Sequence, residues 1–148
     1  MEKAALLKQL DLSEYVAFDF ETTGLSSEND RIIEVAAILF ENGEVKDTFV
    51  TLVNPRRPIP YIITRITGIS DEMVIDAPYE KDVVNDLFDF IGDYPLIAHN
   101  IHFDIDFLRV LSDRYELSAP ENDLYDTLQL SRAFLHFHPT HNLSALAE

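Results

Sequence analysis

The sequence predicts one α/β domain in which an antiparallel meander of three strands is followed by strand–helix units. Apolar and polar side chains alternate over residues 15–21, as in a half-buried strand. Residues 31–40 are apolar on both faces, and the turn "ENG" at 41–43 leads from them into "EVKDTFVTLV", the second arm of a hairpin. In the second half, short apolar strands alternate with helical patterns, which indicates parallel pairing there.

The other elements follow from local signals along the chain. Leucine spacing over residues 2–10 predicts an N-terminal helical segment within residues 1–14, and three prolines make residues 54–60 a loop. Further along the chain we expect helical turns at 61–69 and 70–74, a helix at 79–91, a strand at 95–100, a helix at 101–115, a strand at 123–127 and a helix at 127–135. This order is that of an RNase H-like mixed sheet with flanking helices. Without an internal repeat or a linker, residues 1–148 are expected to be one domain.

Composition and charge narrow the function classes. A chain of 148 residues with 47% hydrophobic residues is long and apolar enough for a core. It has no cysteine, which excludes disulfides and thiolate metal sites. Apolar runs are far shorter than a membrane span, and the N-terminal residues are too interrupted by charge for the apolar region of a secretory leader, so we expect a cytoplasmic protein without a membrane partner. The net charge of −16 disfavours a nucleic-acid partner unless carboxylates hold divalent cations, which reverse the local electrostatic sign.

Two carboxylates stand in an unusual place on the first strand. Asp19 and Glu21 are two residues apart in "FDFETTG" and therefore point to the same face. Val16, Phe18 and Phe20 occupy the opposite face, where they feed the core. Core packing does not explain why two carboxylates that repel one another occupy the other face of the strand.

A third carboxylate lies where a later strand meets a helix, in "HNIHFD". Asn100 is expected to cap this helix, and Asp104 shares an otherwise apolar stripe with Leu108 and Leu111. The opposite stripe is read as solvated and contains His102, Asp106, Arg109 and Asp113. Inward carboxylates from two elements suit Mg²⁺ or Mn²⁺, which prefer hard oxygen ligands. The alternative is a solvent-facing acidic pair on an edge strand and an aspartate with ordinary hydrogen bonds; spacing alone does not separate the two.

Longer motifs add a resemblance that covers the chain from about Tyr15 to its end. The segments "FDFETTGL", "RIIEVAAI", "ITGIS", "LIAHNIHFDIDFL" and "YDTLQLSR" together resemble the DEDD superfamily of 3′-to-5′ exonucleases. The group they are most similar to is that of the proofreading epsilon subunit of bacterial DNA polymerase III. The resemblance implies that two Mg²⁺ or Mn²⁺ ions support removal of terminal nucleotides from a single-stranded DNA 3′ end by phosphodiester hydrolysis.

The resemblance also implies roles for individual residues. Asp19 would bridge both ions, Glu21 would bind the ion that holds the attacking water, and Asp104 would hold metal-bound waters or the second ion. Contacts to the terminal nucleotide are implied for a second set of residues: Thr22, Thr23, Leu25, Asn100 and Phe103. From the residues alone, Leu25 and Phe103 are better explained as core.

One family motif is missing from the C-terminal part. The histidine subgroup has a His five positions before a last Asp, and the tyrosine subgroup a Tyr four positions before it. Here Leu146 stands five positions after His141, and Gln129 four after Tyr125. We therefore expect a domain that continues beyond residue 148 and a 148-residue chain with little activity.

Three questions stay open from the sequence: the partner, whether the domain is catalytic, and whether its substrate is DNA or RNA. A polymerase or a helicase, fused or separate, is the expected partner. A noncatalytic interaction module with the same fold, or an exonuclease acting on short RNA, are the alternatives to a DNA exonuclease.

Overall fold

A computed structural model describes residues 12–135 and 138–147; the predicted helical segment at residues 2–10 lies outside the described residues. The strands are β1 (Glu14–Thr22), β2 (Ile32–Glu41), β3 (Glu44–Leu52), β4 (Leu96–Ala98) and β5 (Leu124–Asp126). The helices are α1 (Tyr61–Thr67), α2 (Asp71–Val74), α3 (Glu80–Ile91), α4 (Ile101–Arg114), α5 (Thr127–Phe134) and α6 (Leu143–Leu146). No helix among the described residues is long and apolar enough to cross a membrane.

The strands form one mixed sheet in the order β3-β2-β1-β4-β5. The meander β1-β2-β3 is antiparallel, and β4 and β5 add to β1 in parallel. This arrangement confirms the predicted RNase H-like class. It also makes β1 the central strand, so the Asp19–Glu21 pair does not lie on an edge strand.

The main core lies between one face of the sheet and the helices α3 and α4. Val16, Phe18 and Phe20 of β1 are buried in it, as their alternation predicts. Helix α3 contributes Val83, Val84, Leu87 and Ile91, which recur at helical spacing. The side chains of Ala17, Asp19 and Glu21 therefore lie on the opposite face of β1.

A second, smaller core covers the end of the sheet near Glu21. The pairing of β1 with β2 shifts register so that Glu21 faces Glu34 while Thr22 faces Ile32. The extra residue, Ile33, is fully buried against Ile59, Ile69 and Val74. A bulge therefore anchors the segment that carries α1 and α2 beside the acidic face.

Candidate active site

Strand β1 presents its two carboxylates side by side. Asp19 is exposed and Glu21 is half-buried, and Glu34 of β2 stands directly across from Glu21 in the register. Like charges this close on one sheet face destabilise the fold. The three acids therefore concentrate negative charge at the end of the central strand.

Asp104 reaches the same strand from helix α4. It is 1% exposed, and its Oδ1 accepts a hydrogen bond of 3.1 Å from the backbone N–H of Phe20. Strand β4 pairs with β1 only at Val16 and Ala17. Phe20 lies between Asp19 and Glu21, beyond the residues of β1 that pair with β4. Its N–H therefore donates to Asp104 of helix α4.

The protonation of the three carboxyls shows how strongly they are coupled. Burial, with the repulsion of Asp19 next, raises the pKa of Asp104 to about 8, despite the opposing hydrogen bond from Phe20. Although Asp19 is exposed as a residue, partial desolvation of its carboxyl by surrounding atoms raises its pKa, while the Phe20 N–H and His99 act in the other direction. The pKa of Glu21 is raised by burial and then by Asp19 and Glu34. All three shifts disfavour the charged forms, so a cation at this place would stabilise the fold.

The side chains do not stand as a ready-made coordination sphere. Among the residues that the structure describes, no three Asp, Glu, His or Cys side chains are grouped closely enough to hold a metal ion. The donor set nevertheless suits Mg²⁺ or Mn²⁺, because it consists of carboxylate oxygens that repel one another. Binding would require Asp19 and Glu21 to turn toward Asp104, which the Phe20 N–H holds.

The turn after Glu21 is held by Asp30. Thr23 donates from Oγ1 to Asp30 Oδ1 at 3.1 Å, and the Ser26 N–H donates to Asp30 Oδ2 at 2.9 Å. A Cβ on Gly24 would lie 2.4 Å from Asp30 Oδ2, so only glycine leaves room for this carboxylate. Sequence reasoning missed Asp30; an acid a few residues after a Thr-Thr-Gly turn is its only local signal.

The side chains expected to contact the nucleotide differ in exposure and in whether they already have hydrogen-bond partners. The Thr22 hydroxyl donates to Gly24 O at 2.6 Å, and the Thr23 hydroxyl serves Asp30, so both hydroxyls already hold the turn. Leu25 is 86% exposed at the tip of the same turn, which makes the core explanation of this residue wrong. Phe103 is partly buried and packs against the main core, and its ring is tilted against that of Phe107, with 5.1 Å between the ring centroids.

Asn100 does not cap helix α4 with its side chain, so that expectation is wrong. Its backbone is left-handed with φ 60°, and its N–H donates to Asp126 Oδ1 at 2.9 Å. The same Asp126 oxygen accepts from the N–H of Leu128 and caps α5. Asp126 therefore ties the start of α4 to the start of α5, a role that local sequence did not reveal.

An open groove of about 250 Å³ runs along the acidic face beside Asp19. His99 and Thr127 line it, with the His99 Nδ1 and Thr127 Oγ1 atoms 3.0 Å apart, and Leu143 closes one side. His99 was not among the predicted site residues, although it begins the motif that contains Asp104. The groove leaves Asp19 accessible from solvent.

Comparison with known proteins identifies the family of the chain and agrees with its fold. The family model RNase_T, described as Exonuclease, matches residues 16–148. The PolC-type DNA polymerase III of Caldanaerobacter subterraneus subsp. tengcongensis is 43% identical over 135 residues, which are 91% of this chain and 10% of that protein. The PolC-type DNA polymerase III of Bacillus subtilis is 42% identical over 140 residues, or 94% of this chain and 10% of that protein. The chain thus spans about a tenth of the length of these relatives.

Solved structures agree on the fold. A structure of exonuclease I superposes with a TM-score of 0.80 at 19% identity, covering 91% of this chain and 35% of the other. Escherichia coli exonuclease I in complex with a dT13 oligonucleotide gives 0.75 at 20% identity, over 86% and 30% of the two chains.

The five-stranded mixed sheet with flanking helices is the fold that the chain shares with these solved structures. The chain belongs to the exonuclease family, which confirms the predicted resemblance to DEDD-type exonuclease domains.

Proposed function

We propose that this domain removes nucleotides from the 3′ end of single-stranded DNA with the help of two divalent ions held by Asp19, Glu21 and Asp104. The observation that carries the proposal is the coupling of these three carboxyls around the N–H of Phe20, with all three pKa values raised. Carboxylates that repel one another on a central strand lower the stability of the fold. Their arrangement serves a function only when bound cations neutralise their charge.

The residues act through position and charge. Mg²⁺ or Mn²⁺ would lower the pKa of a bound water and stabilise the leaving oxygen. Asp19, exposed beside the groove, would hold the ions together with Glu21, which lies on the side of the Thr-Thr-Gly turn. Asp104 is fixed by the Phe20 N–H and helix α4, so its carboxylate gives the site a rigid edge.

The turn after Glu21 and the groove beside Asp19 would bind the terminal nucleotide. The two threonine hydroxyls have partners within the turn, so the contacts assigned to Thr22 and Thr23 narrow to their backbone groups, without the Thr23 N–H, which donates to Arg31 O at 2.8 Å. The exposed Leu25 would pack against the terminal base, and Phe103 would pack from the helix side. Asn100 offers an exposed side-chain amide at the start of α4.

We further propose that residues 1–148 alone cut slowly and that the domain is completed by sequence downstream of them. General-base catalysis contributes about 10²- to 10⁴-fold in rate. The C-terminal part of this chain lacks the His and Asp of the third family motif, and both would serve the same ion. Similarity to PolC-type polymerases supports proofreading within a larger polymerase as the setting.

Digestion of a single DNA strand labelled at its 5′ end tests the proposal directly. In Mn²⁺ the 148-residue chain should be at least about 100-fold slower than a chain extended at its C-terminus. Asp19→Ala should abolish cutting by the extended chain, whereas Asp106→Ala, an acid on the solvated stripe of α4, should not.

The products should shorten from the labelled strand's 3′ end one nucleotide at a time. If the short chain matches the extended chain and still depends on Asp19, a complete site lies within residues 1–148. If the extended chain does not cut at all, the domain is a noncatalytic module. Faster digestion of a short RNA than of DNA would assign the substrate to RNA.

A further inference from the structure

A cleft of about 340 Å³ gathers much of the positive charge of this acidic chain. The chain has 11 Lys and Arg residues against 27 Asp and Glu residues. The cationic residues that line the cleft are Arg31, Arg56, Arg57, Lys81 and Arg114. The carboxylate among its lining residues, Glu80, is already paired with Arg114 and accepts a hydrogen bond from the Tyr115 hydroxyl. The cleft therefore carries a clear excess of positive charge.

Most of these cations have no acidic partner. Among the described residues, Arg31, Arg56, Arg57 and Lys81 take part in no ion pair. Arg31 donates to the carbonyl oxygen of Asp30 at 2.9 Å. Its pKa is lowered first by burial and then by the neighbouring Arg114 and Arg57, while Glu80 acts in the other direction. Acids are abundant in this chain, so an uncompensated group of cations indicates that an external anion binds there.

Arg56 is held in place before any ligand arrives. Its backbone is left-handed with φ 57°, a strained conformation for a long side chain, and its N–H donates to Asn54 Oδ1 at 2.9 Å. Its guanidinium lies over the Tyr79 ring, 5.0 Å from the centroid. Asn54 is tied in turn to Ile75 O at 3.2 Å. A positioned guanidinium binds phosphate with less loss of conformational entropy.

The cleft adjoins the carboxylate site along the chain. The N–H of Arg31 donates to Thr23 Oγ1 at 3.0 Å, so a residue that lines the cleft contacts the turn that follows Glu21. Arg114 ends helix α4, ten residues after Asp104, which is about 15 Å along a helix. A nucleic-acid strand rises at least about 3.4 Å per nucleotide, so this distance corresponds to at most about four nucleotides.

We propose that this basic cleft binds the phosphodiester backbone of single-stranded DNA a few nucleotides away from the terminal nucleotide. The inference rests on the proposed function for the direction of the strand. Guanidinium groups suit phosphate oxygens. Of the two tyrosine rings that line the cleft, Tyr79 is exposed enough to stack on a base, while Tyr115 packs against the main core. An acidic peptide would use the charges but not the ring of Tyr79.

Fluorescence anisotropy with a labelled ten-nucleotide oligothymidylate in EDTA tests the cleft without cleavage. We expect Arg56→Gln combined with Arg57→Gln to weaken binding at least about five-fold at low salt. Each lost phosphate contact lowers the slope of log affinity against log salt by about 0.7 on a single strand, so the double variant should lose about 1.4. Lys81→Gln should lose about half as much and does not touch the strained loop.

The matched control is Arg109→Gln combined with Arg132→Gln, which removes two exposed charges from helices outside the cleft. Its affinity should change less than about two-fold, because exposed charges beyond the contact are screened. Equal losses in both double variants, or displacement of the strand by polyglutamate of equal charge, would overturn the proposal.

Thermal unfolding checks that each variant is folded, and Lys81→Gln decides the outcome if the loop variant is not. Because the assay contains no metal, a failure of nuclease digestion leaves this result intact. Conversely, a result that overturns the cleft proposal does not contradict the proposed metal site at Asp19, Glu21 and Asp104.

Discussion

Replacement of Asp104 by asparagine should stabilise the metal-free protein at neutral and alkaline pH. The carboxyl is 1% exposed, accepts from the Phe20 N–H and lies beside Asp19. Asparagine keeps the shape and can accept the same hydrogen bond, but it carries no charge. The substitution therefore removes a buried repulsion and retains the packing.

The size of the effect follows from the pKa of about 8 in the folded chain. In the unfolded chain an aspartate titrates near 3.9, so between about pH 4 and pH 8 the folded state binds a proton that the unfolded state lacks. Stability must then fall as pH rises through this window and level off above it. Four pKa units give a ceiling of about 5 kcal/mol, and relaxation of the charged group toward the open face should reduce it to about 2 to 3 kcal/mol.

Urea unfolding in EDTA at pH 5 and pH 8.5 measures this effect. The stability gain of Asp104→Asn over the unaltered chain should be larger at pH 8.5 by about 2 to 3 kcal/mol. Asp106→Asn makes the same change on the exposed stripe of α4 and should show no comparable difference. A gain that does not depend on pH, or a loss at pH 8.5, would refute the argument that charge on Asp104 is buried at a cost.

Two further substitutions test how the site is supported. Gly24→Ala places a methyl group on the Asp30 carboxylate and should cost about 1 to 3 kcal/mol, since the turn must shift; thermal unfolding measures it, and no change would mean that Asp30 moves freely. Asp126→Ala removes the cap of α5 and the acceptor of the Asn100 N–H and should cost about 1 to 2 kcal/mol, with faster amide exchange at Asn100 and Leu128; unchanged exchange would contradict this linkage.

The sequence was sufficient to predict the sheet because each strand carries a local pattern. Alternation in β1, the two-sided apolar β2 and the turn between β2 and β3 predict elements that agree with the structure within one or two residues. The short β4 and β5 were found because each stands directly before a helical pattern. The solvated stripe with His102 and Asp106 is also exposed, as predicted.

Parts of the site depend on contacts that no local pattern contains. Asp30 and Asp126 act through backbone groups several to many residues away, and Arg31 and Arg114 meet in one cleft only after folding. The expected cap by Asn100 failed because this residue turns left-handed and its backbone binds Asp126 instead. Such long-range hydrogen bonds follow from topology and not from spacing.

Calorimetric titration with Mn²⁺ tests the central claim, that Asp19, Glu21 and Asp104 together form a metal site. The unaltered chain should bind Mn²⁺ at a defined stoichiometry, Asp19→Asn and Asp104→Asn should lose the binding heat, and Asp106→Asn and His102→Ala should keep it. Similar losses in all four variants would show diffuse attraction to a chain of net charge −16 and would contradict the account.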